Sequence, residues 1–336
     1  MRDAVPTACD NATNPVALWL FGVAAMVAAM VALGGLTRLT GSGLSMVEWN
    51  PHHLLPPLSQ ADWQDAFAKY RASPEYQLVN DSMDLAGFQG IFWLEYLHRL
   101  WGRLIGLAFV LPLAVLAARR LIDRRMAGRL ALLFGLGAAQ GALGWYMEAS
   151  GLVDRPEVSH FRLAAHLVLA VLILGALLWS ALDLVAPPVT VAPRPLRRGL
   201  DGVLVLAVIV ITWGAFVAGL DAGRIHNTFP LMDGGLFPAD GLVRQPDWIN
   251  AFETPAAVQY VHRVLAVTLV ACVTLLALWA RISRPLWLAA GWAWGQAGLG
   301  IATLLQAVPV GLAALHQMGA VLLFALLVWA RHTVRN

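Results

Sequence analysis

Eight stretches of mostly apolar residues, each about 20 long, recur along this chain, at roughly 15–36, 97–118, 128–147, 160–184, 199–219, 256–280, 285–307 and 311–332. Each is long enough to cross a bilayer as a helix rising about 1.5 Å per residue. A backbone in lipid must satisfy its own hydrogen bonds, so a spanning segment is a helix or part of a closed barrel. Barrel strands are short and alternate apolar with polar residues, whereas these runs are continuous. Composition agrees: 59% of the 336 residues are hydrophobic and 13% charged, with a mean hydropathy of +0.67. The expected fold class is all-α integral membrane, with eight transmembrane helices.

Arginine placement sets the expected orientation, because cytoplasmic loops retain Lys and Arg. The second run is followed by Arg119, Arg120, Arg124, Arg125 and Arg129, the fourth by Arg194, Arg197 and Arg198, and the sixth by Arg281 and Arg284. Both termini are then cytoplasmic. The opposite loops are longer and acidic, with Asp62, Asp65, Glu75, Asp81 and Asp84 in one and Asp221, Asp233, Asp240, Asp247 and Glu253 in another. The net charge of +3 reflects this topology and gives no sign of a nucleic-acid partner. The first fifteen residues, with Arg2, Asp3 and Asp10 and no apolar core, read neither as a secretory signal nor as a transit peptide. The chain therefore reads as a multi-pass protein of a bacterial inner membrane, with lipid as its surroundings. Its two cysteines, Cys9 and Cys272, fall far apart in that topology, which argues against a disulfide between them. With no CxxC or CxxCH, thiolate metal ligation and covalent c-type haem are excluded.

The chain repeats itself. Glu95-Tyr-Leu-His98-Arg99 returns as Gln259-Tyr-Val-His262-Arg263, 164 residues on; Gln140-Gly-Ala-Leu-Gly144 returns as Gln296-Ala-Gly-Leu-Gly300, 156 on; Leu163-Ala-Ala-His166 returns as Ala313-Ala-Leu-His316, 150 on. Slowly changing offsets mean similar four-helix units with loops of different length. Two repeated four-helix bundles are expected, over 1–190 and 191–336, with a linker near Pro187–Arg198.

His98, His166, His262 and His316 each fall near the outer end of an even-numbered run, which places all four roughly 10 Å below the outer surface. A lone intramembrane histidine is most often a packing residue; four at matching positions of two repeats point to function, because ionisable groups are costly in a bilayer. Facing imidazoles on the second and fourth helices of a bundle are the geometry of iron held in haem by two axial nitrogens. Two histidines without a second carboxylate or a cysteine make an incomplete set for zinc or di-iron. His52, His53 and His226 in outer loops, His332 at the tail and His160 at a helix mouth are read as solvated or interfacial groups. Arg99 and Arg263 are placed to meet haem propionates through charge-assisted contacts, or to snorkel to the interface; Arg103 and Arg162 add charge near the first site only.

Glu95 marks the main difference between the halves. It shares a helix face with His98 one turn on, while its counterpart Gln259 is uncharged. A carboxylate there suits proton transfer or stabilisation of positive charge on a substrate carbon; the plainer readings are a salt bridge to Arg99 or a solvated residue at the helix mouth.

These features, together with the run Gly34-Gly-Leu-Thr-Arg38-Leu-Thr-Gly-Ser-Gly-Leu-Ser45-Met-Val-Glu-Trp49 and the Asn227-Thr-Phe-Pro230-Leu-Met-Asp-Gly234 loop, resemble the haem A synthase family in its alphaproteobacterial and mitochondrial form, over nearly the whole chain. The resemblance implies oxidation of the C8 methyl of haem O to the formyl group of haem A, by successive hydroxylations and loss of water, for use by terminal oxidases. It implies that His98 and His166 bracket the substrate, that Glu95 is the catalytic carboxylate, and that His262 and His316 ligate a resident haem b. Haem O synthase, cytochrome oxidase assembly and an unidentified electron donor are the partners it suggests. Two features depart: residues 37–94 contain no cysteine, where Gram-positive relatives carry a pair in the first outer loop, and Leu85-Ala-Gly-Phe-Gln-Gly-Ile91 replaces charged residues expected just before the histidine block. The competing readings are a dihaem cytochrome b that exchanges electrons with quinone and a haem transporter or chaperone. Four ligands on one side of the membrane disfavour transmembrane electron transfer, and a transporter gives Glu95 little to do.

Overall fold

The computed structural model describes residues 14–49, 55–149, 151, 156, 158–185, 190–281 and 284–335. Cys9, His52, His53 and Pro187 lie outside these residues. Eight long helices carry the architecture: α1 (Pro15–Leu39), α2 (Leu85–Ala118), α3 (Arg124–Glu148), α4 (His160–Val185), α5 (Arg194–Gly219), α6 (Pro255–Ala280), α7 (Arg284–Leu305) and α8 (Val310–His332). Seven of them are long and apolar enough to cross a membrane, and the chain is a membrane protein. The eighth, α7, is not among the seven; three tryptophans, four glycines and Gln296 thin out its hydropathy. Two-residue strands, β1 (Thr190–Val191) and β2 (Val334–Arg335), pair in parallel and tie the start of α5 to the end of α8.

Most helix ends fall within a few residues of the apolar runs. α2 is the exception, starting at Leu85 rather than near 97. Asp84 caps it by accepting the Gly87 N–H at 2.8 Å, and the added turns bury Phe88, Phe92 and Tyr96 against Trp63 and Tyr70. Trp63 and Tyr70 belong to a short helix, Gln60–Arg71, in the first large loop. The uncharged stretch Leu85–Ile91 is therefore the start of a helix whose apolar face packs beneath a loop cap. Arg194, Arg197 and Arg198, expected in a loop, form the first turns of α5.

α2 also carries Pro112 in its interior. Proline has no N–H, so the carbonyl four residues back loses its helical partner. Trp19 of α1 supplies a replacement, its indole N–H donating to the Ala108 carbonyl at 2.8 Å.

α1, α4, α5 and α8 form the centre, with α1 packed on α4 and α8, and α4 on α5 and α8. α2 and α3 flank one side of this layer, α6 and α7 the other. Where α8 crosses α1, Gln317 donates to the Val31 carbonyl at 2.8 Å. A methyl group at Gly35 would meet the end of the Gln317 side chain, so glycine leaves room for this amide at the crossing.

His332 corrects one expectation. It is fully buried, not solvated: its Nε2 donates to Asp183 at 2.9 Å, and its ring meets the edge of Trp179. Asp183 also accepts from Arg129 at 2.7 Å. The last turns of α8 pack against α4, which gives the imidazole a part-buried carboxylate in place of water.

Candidate functional site

His98 on α2 lies within electrostatic reach of His166 on α4, and His262 on α6 within reach of His316 on α8. Each ring beds against a glycine of a neighbouring helix. A methyl group at Gly34 would stand 3.2 Å from His98 Nε2, and one at Gly144 3.0 Å from His166 Cε1. The second pair repeats the arrangement, with 3.2 Å from Gly214 to His262 Cε1 and 2.7 Å from Gly300 to His316 Cε1. Glycine at these four places lets the imidazoles lie close to the neighbouring backbone. The Gln140 amide donates to the His166 carbonyl at 3.0 Å and stands 3.2 Å from its Nδ1. Gln296 does the same for His316, at 2.7 and 3.1 Å. These amides fix the ring orientations, as outer partners of metal-binding histidines commonly do.

Above the first pair, Glu95 is buried and tightly held. Its Oε2 accepts from the Ser45 hydroxyl at 2.6 Å and the Met46 N–H at 2.8 Å, and its Oε1 accepts from Arg99 at 2.6 Å. The ion pair to Arg99 is thus present, and the carboxylate is not solvated. Arg99 also donates to the Met46 and Glu48 carbonyls, at 2.7 and 2.9 Å, and to Glu148 at the end of α3. The run Gly34–Trp49 therefore supplies one histidine's bed, two donors to Glu95 and two acceptors for Arg99.

Above the second pair the same corner is built with neutral partners. Gln259 donates to the Ala222 and Ile225 carbonyls at 2.7 and 2.6 Å, and its Oε1 accepts from Arg263 at 2.8 Å. Arg263 donates to the carbonyls of His226 and Thr228, at 2.7 and 2.8 Å. The Asn227 side chain closes this corner against α7, donating to the Leu304 carbonyl at 2.8 Å.

Other candidate residues fall outside the two corners. Arg162 donates to the Tyr146 carbonyl at 2.7 Å and lies over the Tyr146 ring, joining α4 to α3. His160 starts α4, as expected of a residue at a helix mouth, and bonds the Phe252 carbonyl at 3.0 Å. His226 is held between Asp233 and Asp240, at 2.6 and 2.9 Å, and is more engaged than a solvated loop residue.

Sequence reasoning missed Glu148 and the glycine beds at Gly34 and Gly214. Glu148 was legible in the repeat: it lies four residues after Gly144, where the second half has Leu304 four after Gly300. The asymmetry of Glu95 against Gln259 thus recurs at a second position.

Among the described residues no group of three or more His, Cys, Asp or Glu is placed to hold a metal ion. Two pairs of part-buried imidazoles, each pair drawn from two helices, are instead a donor set suited to the iron of haem, so these residues fit haem. The family model described as COX15-CtaA, cytochrome oxidase assembly protein, matches residues 17–328. The chain belongs to the COX15-CtaA family. The match takes in all four histidines, Glu95 and Glu148. Relatives agree along nearly their whole length. A protein of Paramagnetospirillum magneticum named Heme A synthase is 49% identical over 96% of this chain and 94% of its own. Proteins of the same name from Parvibaculum lavamentivorans and Rhodospirillum centenum are 47% and 48% identical, over 96% and 99% of this chain and 95% and 91% of their own.

Proposed function

We propose that this chain is a haem A synthase, an enzyme that oxidises the C8 methyl of haem O to the formyl group of haem A. One observation carries the reading: of the two corresponding corners, only the first sets a buried carboxylate above its histidine pair. Near-full-length identity to proteins named Heme A synthase supports it. Two successive monooxygenase-type hydroxylations, each inserting one atom of dioxygen and reducing the other to water with two electrons from the donor, would convert the methyl to a geminal diol, which loses water to leave the formyl group.

His98 and His166 are assigned to the substrate haem O, and His262 and His316 to a resident haem b. Haem b, when bound, supplies one-electron transfer. Gln140 and Gln296 orient the rings, and the four glycines admit them. Glu95, fixed by Ser45, Met46 and Arg99, keeps a negative group beside the first pair. There it can stabilise positive charge developing on the substrate carbon or carry a proton away. Arg99 and Arg263 are the candidates to meet propionates; each already ties its large loop to the histidine helix.

All eight helices are assigned to the membrane, as two four-helix bundles over 1–190 and 191–336. α7 is 22 residues long, about 33 Å at the helical rise, and it packs between α6 and α8. The arginines after α2 and α6 and around the start of α5 support a topology with both termini in the cytoplasm and the two histidine pairs toward the periplasm, across a bacterial inner membrane. An electron donor, haem O synthase and the assembling oxidase are the partners this activity calls for.

The test is to express the chain in cells that make haem O, extract the non-covalent haem and identify it by chromatography and mass. Haem A or its hydroxymethyl precursor is expected; haem B alone, with haem O supplied, contradicts the proposal.

A further inference from the structure

The two halves differ along one seam. α6 and α7 pack closely, whereas α2 and α3, in the corresponding places, scarcely approach each other. Both α2 and α3 leave large apolar side chains exposed, among them Leu107, Leu111, Leu132 and Phe134. A methyl group added at Gly137 or Gly141 of α3 would meet nothing within 4 Å. Gly141 and Glu148 stand two turns apart on one face of α3, and Glu148 reaches Arg99 of α2. That face therefore looks toward α2. The adjoining face presents Gln140 and Gly144 to His166. The seam thus leads from the lipid-exposed flank to the first histidine pair.

The Arg99–Glu148 ion pair crosses the seam at its histidine end, and both side chains are largely buried. In the second half Leu304 replaces Glu148, and the Asn227 amide closes the corner with a neutral bond to the Leu304 carbonyl. Arg99, unlike Arg263, has two carboxylate partners. It can release Glu148 and still hold Glu95, which Ser45 and Met46 also grip.

We propose that the α2–α3 seam is the lateral route by which the amphiphilic haem substrate passes between the bilayer and the His98/His166 pair, with the Arg99–Glu148 ion pair as the latch across it. Glu148 is then a positioning residue that acts through Arg99. The proposal rests on the reading that the first pair receives haem O. Its isoprenoid tail favours lipid over water, and a lipid-side entrance spares it a passage through water. The close packing of α6 on α7 suits a haem that stays.

The test follows haem O uptake by absorbance when the full chain, in lipid nanodiscs, is mixed with phosphatidylcholine vesicles carrying haem O. Gly141→Phe fills open space in the seam and is expected to slow uptake about tenfold or more, with second-pair haem content unchanged. Glu148→Leu, which removes the latch, is expected to speed both uptake and release, and Glu148→Gln to fall between it and the wild type. Uptake and release rates indistinguishable from wild type in both Gly141→Phe and Glu148→Leu overturn the route. Should Gly141→Phe also lose the second-pair haem, Gly141→Leu and the Glu148 variants decide the matter. The readout does not depend on turnover. A wild-type chain that binds haem O without forming haem A contradicts the proposed reaction and leaves the route to be judged by these rates. A wild-type chain that takes up no haem O overturns both.

Discussion

Glu95 and Gln259 hold the same corner of their halves with opposite hydrogen-bond polarity. The first loop offers Glu95 two donors, Ser45 Oγ and the Met46 N–H, whereas the second offers Gln259 two carbonyl acceptors. Glu95→Gln keeps the shape and an acceptor for Arg99 but turns an NH2 group toward donors. It is expected to cut haem A yield by about 100-fold or more, as loss of a general acid–base group does, with haem b content intact. Normal yield from that variant removes Glu95 from the mechanism. Gly300→Ala tests the glycine beds, because the added methyl comes 2.7 Å from His316 Cε1. Overpacking costs about 1–3 kcal/mol, roughly tenfold in affinity for haem b, measured as haem per chain. Gly298→Ala, two residues away with nothing within 4 Å, should leave that content unchanged; equal loss from both variants contradicts the role given to Gly300. The histidines, Glu95 and the arginines were legible because the repeat sets each beside its counterpart. The hydrogen-bond polarity of the corners was not, since it depends on loop backbone that no periodicity describes.

At the scale of elements, apolar length predicts where helices cross lipid and says less about where they end outside it. Seven of the eight expected spans were legible for that reason. The early start of α2 was not, because its extra turns are stabilised by the aromatic cap around Trp63, Tyr70 and Phe88. Trp19→Phe should leave the Ala108 carbonyl of α2 unpaired, at about 1–3 kcal/mol, seen as a lower unfolding temperature in detergent. Pro112→Ala in that background restores an N–H and should recover part of the loss; unchanged stability in Trp19→Phe removes the bond from the account. In the first large loop, Glu75 is buried and accepts from the Tyr70 hydroxyl at 3.1 Å. Burial pushes its carboxyl up from 4.5 to about 7; the Tyr70 bond offsets part of this, and the charge of Glu95 adds to it. Because the folded value is the higher, its contribution to stability is full below about pH 4.5 and is lost as pH rises through about 7. Hydrogen-exchange protection of residues 60–83 should therefore fall between pH 5 and 8, about the window these values define, and Glu75→Gln should flatten that slope. The same slope in both chains contradicts it.

At the scale of the whole molecule, α4 and α8 lie at the centre, with α1 against α8 and α5 against α4, an arrangement that relates one half to the other. Matched glycine beds, glutamine props and arginine loop ties make the halves alike in construction. Two acidic side chains and an open seam make the first half different. The proposed function divides the halves: one histidine pair holds a haem to be changed and the other a haem that stays. Its most direct test is the haem content of two variants purified from cells that make haem O. His262→Ala should lose the resident haem b, while His98→Ala should retain haem b and yield no haem A. Equal loss of haem b from both variants would contradict the division between the halves.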